Sequence, residues 1–131
     1  MGAVTFIAKN TFKKIFKNLA EELESPVSGV QIGICYNEGV HKFEAYIDFK
    51  KIKDINPEDY IGTVVDLTGG ITVIEATIAQ SIPRYAKELE CSPDEVNVIM
   101  RYVDGKLPDA VLLRGTEKIR KIDIEQEFLS N

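Results

Sequence analysis

The sequence predicts an α+β fold: a tandem βαββ repeat forming one antiparallel sheet with the helices packed on one face. Three observations predict it. Displaced by 66 positions, Leu19 to Gly39 overlies Tyr85 to Gly105 with seven of the 21 pairs identical, among them Glu22/Glu88, Leu23/Leu89, Tyr36/Tyr102 and Gly39/Gly105. Recurrence at a fixed period marks a duplicated supersecondary unit. In both copies a stretch of helical spacing leads into apolar residues that alternate with polar ones, which is the period of a strand with one buried face. Only one face of each strand is apolar, so the helices belong together on that side.

In the first copy a short β-rich run, Ala3 to Ile7, precedes a helix over 11–24 marked by Phe12, Ile15, Phe16, Leu19 and Leu23, with Thr11 or Asn10 as its N-cap. Val30, Ile32, Ile34 and Tyr36 then alternate as a strand, Asn37-Glu38-Gly39 turns the chain, and Phe43, Ala45, Ile47 and Phe49 return. Matching the apolar faces pairs Ile34 with Phe43 and Ile32 with Ala45. The second copy opens with Thr63 to Leu67. Ile71, Ile74, Ile78, Ile82, Tyr85 and Leu89 mark a helix that Pro83 should kink or restart near Ser81, and its β-branched residues leave a strand over 71–78 open. Val96, Val98, Met100 and Tyr102 form a strand, Asp104-Gly105 begins a turn, Ala110 to Arg114 return, and a short helix lies near Asp123 to Leu129. After a one-residue insertion Lys51-Ile52-Lys53 matches Lys118-Ile119-Arg120. In layout this order is similar to the tandem βαββ architecture of gyrase-inhibitor-like effector-binding domains; that resemblance implies a groove between halves that seats small molecules.

Composition narrows the function classes. With 131 residues, 44% hydrophobic and 28% charged, the chain reads as a single domain over 1–131, of pseudo-repeats about 1–61 and 62–131, able to build a core without disulfides or a structural metal. A net charge of −5 argues against general nucleic-acid binding. No apolar run approaches a membrane span and no secretory signal is legible, so the expected location is the cytoplasm. Cys35 and Cys91 are too few for a disulfide framework and too far apart for a zinc knuckle, and are expected to be reduced. No metal site and no cofactor are expected.

One histidine, His41, limits acid–base chemistry, and the strand register sets Cys35 on the face opposite to it, so no cysteine–histidine pair forms. Leu67-Thr68-Gly69-Gly70-Ile71 lacks the lysine of a P-loop and reads as a tight turn. Asn56-Pro57-Glu58-Asp59 and Ser92-Pro93-Asp94-Glu95 read as N-caps followed by proline and acids in a first helical turn.

Two surfaces carry the functional expectation. On the polar faces of the two hairpins, Arg101, Glu44, Tyr46, Gln31 and Asn97 would supply a cation, an anion, an aromatic plate and two amides. Lys9, Lys13, Lys14 and Lys17 crowd the N-terminal half of the first helix against its dipole, which suits an anionic ligand or an acidic partner. The expected function is a non-enzymatic binding module for a small polar or anionic molecule. The alternatives are a protein-interaction module, an inhibitor or adaptor using an edge strand or the Lys-rich helix, and a small enzyme built on Glu44, Arg101 and tyrosines. Open sheet edges further suggest a homo-oligomer.

Overall fold

The computed structural model describes the backbone of residues 3–37, 40–61, 76–77 and 80–129. Six strands form one antiparallel sheet: β1 (Val30–Asn37), β2 (Val40–Ile47), β3 (Lys50–Asp54), β4 (Val96–Arg101), β5 (Asp109–Arg114) and β6 (Glu117–Ile122). Their order, β3-β2-β1-β4-β5-β6, reads as two three-stranded meanders joined back to back through β1 and β4. Helices α1 (Ala3–Glu22) and α2 (80–88) cover one face. Phe12, Ile15, Phe16 and Leu19 of α1 and Ile82, Tyr85 and Ala86 of α2 share a buried core with Val30, Ile32, Ile34, Val96, Val98, Met100 and Leu112 of the sheet.

The β1–β2 register is the one the apolar alternation demands, with Ile34 opposite Phe43 and Ile32 opposite Ala45. Across the centre, Gln31 faces Arg101, Gly33 faces Ile99 and Cys35 faces Asn97. Features of the first half recur 66 residues later up to the hairpin and 67 after it. Glu24 and Glu90 both end their helices at positive φ. Short 3-10 turns occupy Val27–Gly29 and Pro93–Glu95. The register shifts between Ala45 and Tyr46 and again between Leu112 and Leu113.

Matched ion pairs tie each helix to the outer strand on its own side. In the first half Lys53 Nζ donates to Glu22 Oε1 at 3.0 Å, and the Tyr60 hydroxyl donates to the other carboxylate oxygen. In the second, the Arg120 guanidinium holds Glu88 through two bonds of 2.8 and 2.9 Å and reaches Glu127 at 2.8 Å. The Tyr60 hydroxyl and Lys53 hold the Glu22 carboxyl below its usual range, and Arg120 does the same for Glu88 and Glu127.

Several expectations are corrected. The tandem βαββ order fails at its first element: Ala3 to Ile7 lie inside α1, not in a strand. The buried stripe of Phe12, Ile15 and Leu19 extends back to Ala8 with no breaker, so packing overrides the β-branched local preference. Thr11 is therefore no N-cap; it is buried mid-helix and its hydroxyl donates to the Ile7 carbonyl. The layout likeness to effector-binding domains loses that same strand. Each half instead gains a third strand, β3 or β6, which the sequence hides because KKIKD and EKIRKI carry lysines rather than alternating apolar residues.

Those strands also remove the reason given for edge pairing. Both edges are lysine-rich and lie beside a register shift, two devices that discourage strand addition. Phe49, expected on a strand, occupies the β2–β3 turn with φ 61°, next to Asp48 at φ 52°. Pro83 lies within the helical residues 80–88, a run that includes Ser81, and residues 78–79 before it are outside the described ones. Asn56 caps its 3-10 turn as expected, its side chain accepting from Glu58 N–H, and the Ser92 N–H donates to Glu95. The C-terminal helix is one π turn, Glu125–Leu129. Thr63 to Leu67, the Leu67 to Ile71 glycine turn, residues 71–75 and 78–79, and Glu38-Gly39 lie outside the described residues.

Candidate functional site

The sheet face away from the helices carries the expected polar residues, because Gln31, Gly33 and Cys35 alternate with the core positions of β1 and Asn97, Ile99 and Arg101 with those of β4. In the first half this face is closed by its own side chains. Glu44 is 5% exposed, and its carboxylate receives the Tyr46 hydroxyl at 2.9 Å and Lys51 Nζ at 2.5 Å. Lys51 also reaches Asp54 at 2.8 Å. The Tyr46 ring lies across Gly33 so closely that a Cβ there would stand 2.3 Å from it. Cys35 Sγ is 3.0 Å from the Tyr46 oxygen.

The single phenolic proton goes to the carboxylate, so the thiol is the donor in that contact. Burial pushes the Cys35 thiol up to about 12, and burial with the neighbouring Cys35 and Glu44 also raises Tyr46. Cys35 is thus a neutral thiol at physiological pH, and a thiol, unlike a thiolate, is a poor nucleophile.

In the second half the equivalent positions are apolar or unpaired: Val111 stands where the first half has Glu44, Leu113 where it has Tyr46, and Arg101 where it has Cys35. A groove of about 240 Å³ opens there, floored by Ile99 and Val111 and ringed by Arg101, Lys118, Lys121, Asp109, Gln31 and Phe49. Arg101 is exposed and sits between Gln31 and Asp109 in register, and among the described residues neither Arg101 nor Lys121 forms an ion pair. Lys118 Nζ lies 3.8 Å from the centroid of the Phe49 ring, a cation–π contact made across the sheet. A second groove of about 310 Å³ adjoins it, lined by Tyr46, Cys35, Asn97, Leu113 and Thr116, and shares Phe49, Ile99 and Lys118 with the first.

The five residues read from the sequence therefore divide. Arg101 and Gln31 line the first groove, Tyr46 and Asn97 the second, and Glu44 neither. Glu44 is not the resting counter-charge of Arg101, because Lys51 and Tyr46 already occupy it. Both amides brace turns: Gln31 Oε1 accepts from Phe49 N–H at 2.8 Å, and Asn97 Nδ2 donates to the Gly115 carbonyl at 2.8 Å. Each thereby grips the central peptide of its own turn, from the N–H side in one half and the C=O side in the other.

Lys13, Lys14 and Lys17 are exposed on α1 without ion pairs among the described residues, while Lys9 lines a separate groove of about 590 Å³ together with Lys106, Asp123 and Glu125. Lys118, Lys121 and Phe49 were missed in the sequence. The available signal was the match of Lys51-Ile52-Lys53 to Lys118-Ile119-Arg120, which repeats a charged residue on either side of an apolar one at equivalent places.

Among the described residues no group of three or more His, Cys, Asp or Glu is arranged to hold a metal ion, and no helix is long and apolar enough to cross a membrane. The side chain of His41 lies outside what is described. No family model, no curated protein and no solved structure matches the chain.

Proposed function

We propose that this protein is a cytoplasmic, non-enzymatic binding module that seats a small anionic ligand in the groove of its second half, on the outer sheet face. One observation carries the reading: Arg101, Lys118 and Lys121 gather over an apolar floor with a single carboxylate, Asp109, at the rim. Arg101 and Lys121, without ion pairs among the described residues and beside apolar surface, have more to gain from an anion than cations already neutralised. Arg101 is the anchor, because its planar fork engages a carboxylate or phosphate through two bonds from a rigid strand. The same reading makes the two halves, about 1–61 and 62–131, products of an internal duplication whose second copy acquired the ligand.

The test is a thermal-shift screen against carboxylates and phosphates, followed by calorimetry on the hits. Ligand linkage raises the melting temperature whatever the chemistry of the ligand. Arg101→Ala should weaken binding by roughly 2–3 kcal/mol, in line with other charge-assisted contacts, with under half that effect on stability. Unchanged affinity for every hit would sink the reading.

A second reading rests on a separate observation. Phe6 is 59% exposed on the same helix as the exposed Lys13, Lys14 and Lys17, and a helix offering an apolar residue and three cations suits an acidic protein partner. A pull-down that loses its partner on changing the three lysines to Glu, while Arg101→Ala retains it, would favour this surface.

A further inference from the structure

We infer that the ligand is an unbranched amphipathic carboxylate, of the length of a medium-chain fatty acid, whose head sits at Arg101 and whose tail passes beneath Phe49 into the second groove. The inference rests on the proposed anion site and adds the shape and chemistry of what fills it.

The two grooves are neighbours along one line of the sheet. Arg101, Ile99 and Asn97 are successive outer-face residues of β4, and Asp109, Val111 and Leu113 lie opposite them on β5. Residues 97 to 101 span roughly 13 Å at strand rise, long enough for an extended chain to lie along this row. Its charge is graded: Arg101, Lys121 and Asp109 stand at one end, Lys118 borders both grooves, and the other end holds Leu113, 4% exposed, with the neutral side chains of Cys35, Tyr46, Asn97 and Thr116. A ligand polar along its whole length would leave groups unpaired at the Leu113 end, and one apolar along its whole length would leave the cations unanswered.

Size points the same way. At about 240 and 310 Å³, the grooves are individually at or below the lower limit of ordinary ligand sites, roughly 300 Å³, and together they lie inside that range. Phe49, Ile99 and Lys118 belong to both. The Phe49 ring and the Lys118 stem against it border both grooves, so a chain crossing from one to the other meets ring and lysine stem, both apolar surfaces.

The experiment titrates butyrate, hexanoate, octanoate and decanoate into the protein below their micellar concentrations, followed by NMR shifts and calorimetry, with decanol as the uncharged control. Affinity should climb about three- to fourfold per added methylene up to decanoate, as each is withdrawn from water, and decanol should bind at least tenfold more weakly than decanoate. Thr116 is an exposed turn residue lining only the second groove, so Thr116→Trp should fill that groove without touching the anion site. It should lower decanoate affinity tenfold or more and leave butyrate unchanged.

The outcomes separate the two claims. If short carboxylates bind through Arg101 but length adds nothing, or Thr116→Trp weakens butyrate and decanoate alike, the tail groove is wrong and the anion site stands. If neither short nor long carboxylates bind, and decanol matches decanoate, this inference falls, and the phosphate arm of the screen decides the anion site alone.

Discussion

The two three-stranded meanders of the sheet match in strand order and in the place of their register shifts, and differ in what their outer faces carry. In the first half the polar groups at the centre of the face partner one another: Glu44 takes Lys51 and Tyr46, Tyr46 takes Cys35, and the Tyr46 ring fills the space over Gly33. In the second half the corresponding positions hold Val111, Leu113, Arg101 and Ile99, and Phe49 from the β2–β3 turn reaches across to Lys118 beside them. The first meander uses its central polar side chains on one another, and the second leaves Arg101 and Lys121 without ion pairs among the described residues, over apolar ground. A charged residue on a sheet face says little alone; whether its neighbours already satisfy it decides whether it is available to a ligand.

The sharpest test of that contrast exchanges the same chemistry at equivalent positions. Lys51 and Lys118 occupy matching places on the two outer strands. Lys51→Met should lower the urea midpoint clearly more than Lys118→Met does, because it strips a cation from the buried Glu44 carboxylate, although Tyr46 still donates to Glu44. Lys118→Met should cost no more than about 1 kcal/mol, the worth of an exposed cation–π contact, and should show its main effect on ligand affinity. Equal losses of stability would remove the distinction between a closed half and an open one.

A somewhat smaller effect is expected at the centre of the sheet. Gly33→Ala forces the Tyr46 ring off its seat and should cost about 1–2 kcal/mol, the range for overpacking a filled site. The ring is pinned through its hydroxyl, so adding Tyr46→Phe to Gly33→Ala should recover part of the loss by freeing the ring to move; no recovery would mean that the strain lies in the backbone.

The least energetic test is chemical. With its thiol near 12, Cys35 has roughly one molecule in ten thousand ionised at about pH 8, so iodoacetamide should leave it unlabelled over hours in the native protein and label it on unfolding. Rapid native labelling would show that the first half is open after all.

Much of this frame is legible in the residues. Alternation placed Ile34 opposite Phe43, because a one-residue slip would turn a whole buried face outward. It failed at β3 and β6, where the strand's only partner is on one side and lysine is favoured for solubility, so hydrophobic period carries no information. It failed at Ala3 to Ile7, where the local preference of β-branched residues lost to a helix anchored from Ala8 onward. The site was half legible. Arg101 stood out as a charge on the polar face of its strand, but Lys118 and Lys121 belong to a strand the pattern hides, and Phe49 lies in a turn of positive φ, a conformation costing roughly 1 kcal/mol or more for a non-glycine residue. Gln31 and Asn97 read as ligand amides because nothing in one strand shows that its neighbour's turn will fold back onto it.

Gly33 faces Ile99, the residue that holds its own place in the other half. Were the two meanders separate, identical chains related by a twofold axis, the position on that axis would have to face a copy of itself: glycine on glycine or isoleucine on isoleucine. A void or a collision at the middle of the sheet would follow. One continuous chain is released from that rule, so a small residue on one side lets a tyrosine lie flat while a large one on the other builds the floor of a groove. Substitutions that would have to appear twice in a symmetric pair need to appear only once here. The off-centre groove is thus a form of asymmetry open to a fused pair and closed to a symmetric one.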